Sequence, residues 1–247
     1  MKTEDLKTMI SKSSYIVFLG GAGVSTESGI PDFRGEEGIY RTIRKYGCSP
    51  EVILSRSYFI NHPGVFFEFY RGNMIFAGAR PNKAHLALAE LEARGLLKAV
   101  LTQNIDGLHQ LAGSRSVLEL HGSVHRNYCM DCMERYGLEY VTGFPDTVPR
   151  CRKCNGIVRP DVTLYEECLR TDVLDQAVSH VEKADMLIVG GTSLAVYPAA
   201  GLIDYYEGDR LVLINKSATP YDRRANLVIN SSIGKVLDEA VGRLQGR

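Results

Sequence analysis

Three observations predict an α/β fold, a parallel sheet with helices on both faces and a small extra module. Short apolar runs alternate with amphipathic stretches along the chain. A glycine turn follows the first run directly. A cysteine-bearing insertion then breaks the alternation. Parallel strands need crossover connections and are buried on both faces, so they read as continuous apolar runs rather than alternating ones. Residues 15–19, 99–102, 117–120, 186–189 and 210–214 are such runs.

Each element follows from local chemistry. Residues 1–13 predict a short helix with Leu6, Met9 and Ile10 on one face. The first strand, 15–19, ends at Gly20, Gly21 and Gly23, and residues 24–28 can open a helix beyond that turn. From 34 to 80 no strand pattern occurs; Gly and Pro punctuate and aromatics cluster, which predicts a loop and then short helices with an aromatic core. Residues 82–94 form an amphipathic helix through Ala84, Leu88 and Leu91, stopped by Gly95. The strand at 99–102 leads into Gln103-Asn104-Ile105-Asp106, and the strand at 117–120 ends at His121-Gly122-Ser123. After the insertion at 125–160 the alternation returns: a helix at 172–183, a strand at 186–189, a second glycine turn at Gly190-Gly191-Thr192-Ser193, a helix after Pro198, a strand at 210–214 ending at Asn215, and a closing helix at 236–244.

The bulk composition excludes several classes. The chain has 247 residues, 45% hydrophobic and 23% charged, enough apolar material for a full core. Its 29 basic and 29 acidic residues cancel, so no global field draws it to nucleic acid or to an anionic membrane. No apolar run approaches the ~20 residues that span a bilayer. Residues 1–14 carry acids early and lack the apolar core of a secretory signal, so a cytoplasmic location is expected.

Four of the six cysteines form two pairs, Cys129-x-x-Cys132 and Cys151-x-x-Cys154, separated by 18 residues. That spacing suits a four-thiolate tetrahedral zinc site; with every position filled by protein, the zinc is structural. The residues around it offer too little apolar surface to fold unaided. Cys48 and Cys168 stand alone and read as inert.

The glycine turn at 20–23 lets a phosphate approach the backbone, and unsatisfied N–H groups beyond it favour an anion. As a dinucleotide fingerprint it is incomplete, since Thr26 occupies the third glycine position of G-x-G-x-x-G. Gln103-Asn104-Ile105-Asp106 lies at the carboxyl end of a parallel strand, the edge where open α/β sheets bind ligands. His121 stands at another strand end, where a neutral imidazole can accept a hydroxyl proton. His62, His85, His125 and His180 read as structural, and His109 as packed or bonded within its own loop.

With these residues in place, the sequence resembles the sirtuins, the NAD-dependent protein deacylases. Residues 21–34 match the motif GAGxSxxSGIPDFR at every fixed position, residues 102–109 match TQNIDGLH throughout, and His121 matches the catalytic histidine. Residues 191–200 and, less specifically, 215–222 also resemble the family. The resemblance implies a Rossmann-type NAD domain from segments 1–34, 81–124 and 161–247, a cofactor loop and helical module at 35–80, and a zinc-ribbon module at 125–160. It implies that Ala22, Thr26, Phe33, Arg34, Gln103, Ile105, Asp106, Thr192, Ser193, Asn215 and Ile233 bind the co-substrate NAD, with Ile105 and Asp106 on the nicotinamide carboxamide. Asn104 would orient ribose and water, Phe33 would shield the ribose C1′, and His121 would act as base. One zinc would sit on Cys129, Cys132, Cys151 and Cys154.

The activity so implied is NAD-dependent protein-lysine deacetylation, moving the acetyl group of an acetylated protein or peptide onto ADP-ribose with release of nicotinamide. No membrane or nucleic-acid partner is expected. Mono-ADP-ribosyl transfer and a non-catalytic NAD-sensing module are the alternatives. Residues 159–162 match the stretch that pairs with substrate peptide, but the family's usual Phe-Gly-Glu is Tyr165-Glu166-Glu167 here, which adds bulk and charge where a strand would approach. Sirtuins that favour succinyl or malonyl lysine share a Tyr-x-x-Arg pair; Tyr70 matches the tyrosine, but Asn73 stands at the arginine position. Arg71, one residue on, would point about 100° away on a helix. Neutral acyl groups, acetyl first, are therefore expected.

Overall fold

The computed structural model describes residues 2–31 and 46–242. Six parallel strands form the large sheet: β1 (Ile16–Gly20), β2 (Leu97–Thr102), β3 (Val117–Glu119), β7 (Met186–Gly190), β8 (Leu211–Ile214) and β9 (Leu227–Ile229), in the order β3-β2-β1-β7-β8-β9. The side-chain period of two sends Ile16 and Phe18 to one face and Val17 and Leu19 to the other. The first face is covered by α1 (Lys2–Ser11), α5 (Lys83–Ala93) and α9 (Ile233–Val241) through Leu6, Ile10, Leu88, Leu91 and Leu237. The second is covered by α8 (Thr171–Lys183) and a 3₁₀ segment, Ala199–Tyr205, through Ala177, Val181, Leu202 and Ile203. The expected doubly covered sheet is present.

Three elements differ from the sequence reading. After β1 no α-helix opens; two single 3₁₀ turns, Ala22–Val24 and Thr26–Ser28, follow instead. The segment after Pro198 is also 3₁₀. β9 was hidden, because three residues at a sheet edge carry too short an apolar pattern to register.

A second, antiparallel sheet contains β4 (Gly122–Cys129), β5 (Arg135–Gly137) and β6 (Val158–Val162). It shares one core with three short helices, α2 (Pro50–Ile53), α3 (Arg56–Asn61) and α4 (Pro63–Asn73). Phe59, Phe66, Phe67, Phe69 and Tyr70 are all at most 1% exposed there, so the aromatic cluster is core. Arg159 on β6 is buried against the Phe59 and Tyr128 rings and bonds Glu167 through both ends of its guanidinium, at 2.7 and 2.9 Å. Such a fork-to-fork pair satisfies a cation that a dry core would otherwise penalise.

The two glycine turns touch. The Gly23 N–H donates to the Gly191 carbonyl at 2.8 Å, and a Cβ on Gly191 would lie 2.4 Å from the Val24 nitrogen. Gly191 also has φ +61°, the left-handed region. Gly191→Ala is expected to lower Tm by roughly 5 °C, from about 1–3 kcal/mol of backbone strain at 2–4 °C per kcal/mol. Gly201→Ala, whose new Cβ meets only Tyr197 at 3.6 Å, should change little. Paired thermal melts check the contrast.

Candidate active site and metal centre

Strand ends at the touching glycine turns position the polar residues. Gln103 continues β2 and its N–H donates to the Gly20 carbonyl at 2.9 Å, drawing the 103–106 segment beside the first turn. Asn104 is fixed at both ends: its backbone N–H donates to the Thr102 hydroxyl (3.0 Å) and its side-chain amide to the Ser25 hydroxyl (3.0 Å). Ser25 in turn donates to one Asp106 carboxylate oxygen at 2.6 Å, while the other accepts the Leu108 N–H at 2.9 Å. That second bond satisfies the first N–H of α6 (Leu108–Leu111), whose N-cap is Gly107. Ser25, Asn104 and Asp106 thus form one rigid polar cluster.

A second cluster stands across the turn. Asn215, at the end of β8, donates to the Thr192 and Ser217 carbonyls at 3.2 and 3.1 Å. The Thr192 hydroxyl accepts the Leu194 N–H at 3.1 Å and lies 3.5 Å from the Gln103 amide nitrogen. Ser193 is exposed beside it. Ala22 and Thr26 lie within the 3₁₀ turns, with the Thr26 hydroxyl donating to the Gly23 carbonyl at 3.0 Å. Ile105 is partly buried against the small-module core, and Ile233 is buried with its side chain over Gly190 at the end of β7. Phe33 and Arg34 lie outside the described residues. The sequence reading assigned nothing to Ser25 or Asn82; Ser25 occupies a fixed position of the 21–34 motif, and Asn82 precedes an amphipathic run as an N-cap does.

His121 sits between β3 and β4, where the chain leaves the large sheet for the small one. Its Nδ1 is 3.0 Å from the Gln103 carbonyl, an acceptor, so Nδ1 carries the proton and Nε2 keeps its lone pair. Burial lowers the pKa below the ordinary histidine value, and the Gln103 carbonyl opposes that shift. The imidazole is therefore neutral at pH 7 and can accept a proton at Nε2. His109 is packed, against Phe18 and His85. His125 bonds the Asp106 carbonyl (3.1 Å) and His180 the Tyr15 hydroxyl (3.0 Å), whereas His109 makes no hydrogen bond among the described residues.

A cleft of about 790 Å³ opens beside Gly122 and Thr163, between the β3 edge and the small sheet. Three of the four arginines lining it are paired with carboxylates: Arg126 bonds Glu119 and Asp161, Arg159 bonds Glu167, and Arg170 bonds Asp172. Glu166 has φ +73°, yet its carboxylate accepts the Ser57 N–H at 2.9 Å and the Ser57 hydroxyl at 2.8 Å. Tyr165 adds reciprocal backbone bonds to Leu54 and Arg56, both at 3.0 Å. The charge that replaces a glycine is thus turned toward the start of α3.

The four cysteines of the paired motifs converge, with all sulfurs within 4.8 Å of one another. Cys129–Cys154 and Cys132–Cys151 stand 3.4 and 3.5 Å apart. Thiolates bonded tetrahedrally at 2.3 Å would be about 3.8 Å apart, so the four fit one zinc ion. The Asp131 and Lys153 amides donate to Cys129 and Cys151, and the Tyr136 hydroxyl to Cys151 at 3.2 Å, as outer partners of thiolate ligands do. Cys48 is partly buried and Cys168 exposed, both outside this group. Cys151→Ser is expected to remove bound zinc from a protein that otherwise carries one per chain, and to lower Tm sharply as the small sheet loosens. Metal analysis with thermal melting checks this; unchanged Tm in zinc-free protein would refute it.

Among the described residues no helix is long and apolar enough to cross a membrane. The Sir2 family model matches residues 21–198. An NAD-dependent protein deacetylase of Clostridium acetobutylicum is 60% identical over 240 residues, covering 97% of this chain and 98% of the relative. One of Clostridium tetani is 60% identical over 241 residues, covering 98% of each. Among solved structures, a Sir2 homologue in complex with NAD is 41% identical, with a TM-score of 0.87 over 96% of this chain and 92% of its own. A Sir2 complex with a p53 peptide and NAD⁺ is 38% identical, with a TM-score of 0.84 over 96% of each chain. Fold and sequence agree over nearly the whole length, and the chain belongs to the Sir2 family.

Proposed function

We propose that this protein is an NAD-dependent protein-lysine deacetylase whose substrates are acetylated proteins or peptides. The observation that carries the reading is the neutral His121, its Nε2 lone pair free to take a proton, at the carboxyl edge of the sheet beside two polar clusters that suit an uncharged ribose and carboxamide. NAD, when bound, supplies the ADP-ribosyl group that receives the acetyl group as nicotinamide departs. Ala22, Thr26, Gln103, Thr192, Ser193 and Asn215 bind it through short hydroxyls, amides and backbone groups, with Phe33 and Arg34 completing the site. Ile105 and Asp106 hold the carboxamide, Asp106 being fixed by Ser25 and by the Leu108 N–H at the start of α6. Asn104, pinned by Thr102 and Ser25, orients a ribose hydroxyl and water. His121 Nε2 removes a ribose hydroxyl proton while Nδ1–H stays on the Gln103 carbonyl. Zinc on Cys129, Cys132, Cys151 and Cys154 holds the small sheet and takes no part in the chemistry.

The acyl preference follows from where the helical-module side chains point. Asn73 spends its amide on the Phe69 carbonyl within its own helix, at 2.9 Å. Arg71 is turned to the zinc side, bonding the Val141 and Asp146 carbonyls and lying over Phe67. Tyr70 is 1% exposed and burial pushes its hydroxyl pKa up, so it stays neutral. Position 73, the family's arginine site, thus offers no cation, and a carboxylate buried without one is costly.

Incubating the protein with NAD and an acetyl-lysine peptide should yield nicotinamide and deacetylated peptide in equal amounts; nicotinamide with an ADP-ribosylated protein would indicate transfer instead. His121→Ala should keep NAD affinity within a few-fold and lower turnover by at least ~10²-fold, the scale of a positioned base. Turnover retained in this variant removes His121 from the mechanism. With one peptide sequence, kcat/KM should be higher for the acetyl than for the succinyl form, and the reverse order would overturn the acyl assignment.

A further inference from the structure

Two imidazoles that the mechanism does not use meet beneath the 22–28 turn. His85, on the first turn of α5, and His109, on α6, are 0% and 1% exposed, with ring centroids 4.7 Å apart at 60°. His109 also packs on Phe18 of β1, with centroids 6.2 Å apart. His85 Nδ1 accepts the Asn82 N–H at 3.2 Å, which places its proton on Nε2. That Nε2 and both nitrogens of His109 make no hydrogen bond among the described residues. Burying three polar ring atoms is unfavourable, so the contact is retained against a cost.

The chain neighbours of the pair show what it connects. Asn82 caps α5 through the Ala84 N–H (2.9 Å) and reaches outward with its amide to the Val24 carbonyl (2.7 Å) and the Ser28 hydroxyl (3.0 Å). On the other side Asp106 holds Ser25 and accepts the first N–H of the helix that carries His109. The Val24–Ser28 turn is therefore gripped by two arms, Asn82 with His85 and Asp106 with His109, and the imidazole pair lies where the arms meet. A third hold comes from outside, where Glu27 accepts the Gly234 N–H at the start of α9 at 2.9 Å. Burial lowers the pKa of His85 to about 4, against the nearby Asp106 and Glu27 carboxylates, and that of His109 to about 3, helped by His85. Both rings are neutral at pH 7 and can lie in contact without repulsion.

We propose that His85 and His109 are positioning residues for the co-substrate: their contact sets the spacing of Asn82 from Asp106 and so the shape of the turn between them. The proposal rests on the NAD reading above, since it assigns that turn to NAD. It concerns NAD first, because Asn82 and His85 make no hydrogen bond to the small sheet or the 163–167 segment among the described residues, and the Asp106 arm meets β4 through its main chain, where the Asp106 carbonyl accepts from His125 at 3.1 Å.

His85→Gln is the informative variant. Glutamine at the third helical position still accepts the N-cap N–H, so the helix start survives while the ring contact is lost. NAD binding by calorimetry should weaken roughly 3- to 30-fold, the range for residues that couple through packed neighbours. KM for NAD should rise with it, KM for the acetyl-lysine peptide should stay within twofold, and Tm should hold to a few degrees. His109→Leu, which keeps an apolar side chain on Phe18 but removes the ring that meets His85, should give the same split and decides the matter if His85→Gln fails to fold. A folded variant whose NAD affinity is unchanged within twofold overturns the proposal. So does one whose two KM values and Tm shift together, the signature of a general packing role. Wild-type protein that binds no NAD would instead overturn the function itself, and the proposal with it.

Discussion

The close approach of two glycine turns is the constraint on which the site depends. β1 and β7 are neighbours in the sheet, and the chain leaves them in opposite directions: β2 and β3 lie beyond β1, β8 and β9 beyond β7. At such a switch point the connections diverge and leave a crevice outside the strand ends, the place where open α/β sheets bind ligands. Here Gly23 and Gly191 close the floor of the crevice backbone to backbone, and a side chain on either would force the turns apart. Polar residues from four strand ends, at 25, 103–106, 192–193 and 215, then surround one small volume.

Among the described residues of the site the one carboxylate is Asp106, committed on both oxygens to Ser25 and to the start of α6. The other side chains there are amides and hydroxyls, already oriented by backbone carbonyls and N–H groups. Partners held in this way lose little entropy when a ligand arrives, and orientation of reacting groups is worth several kcal/mol of barrier. His121 follows the same rule, since the Gln103 carbonyl selects the tautomer that leaves Nε2 as acceptor.

The small module is held by different physics. Its sheet is only three strands, and its core is assembled from helical aromatics and the inner faces of β4 and β6. Cys129 ends β4, so zinc at the far end of that strand and His121 just before its start are connected by one run of backbone. Glu166 and Tyr165 bind the same module to α3 from the opposite side. Glu166, whose charge the sequence places beside the peptide-pairing stretch, has its carboxylate bonded to Ser57 at the start of α3.

Much was legible in the sequence, for identifiable reasons. Buried parallel strands are continuous apolar runs, so five of the six strands of the large sheet were readable from composition alone. Glycines forced by backbone contact cannot be replaced cheaply, and thiolate ligands must come in close pairs, so the turn and the metal centre both left short-range signals. What depended on tertiary structure is everything held by partners distant in sequence. The 3₁₀ form of residues 22–28 arises because Gly191, Asn82 and Asp106 grip that turn from three other segments, and no local pattern encodes it. The destination of the Glu166 carboxylate was set by Ser57, 109 residues away. The meeting of His85 and His109 belongs to the same class: each looks like an ordinary helical histidine, and only the packing of α5 against α6 makes them a pair.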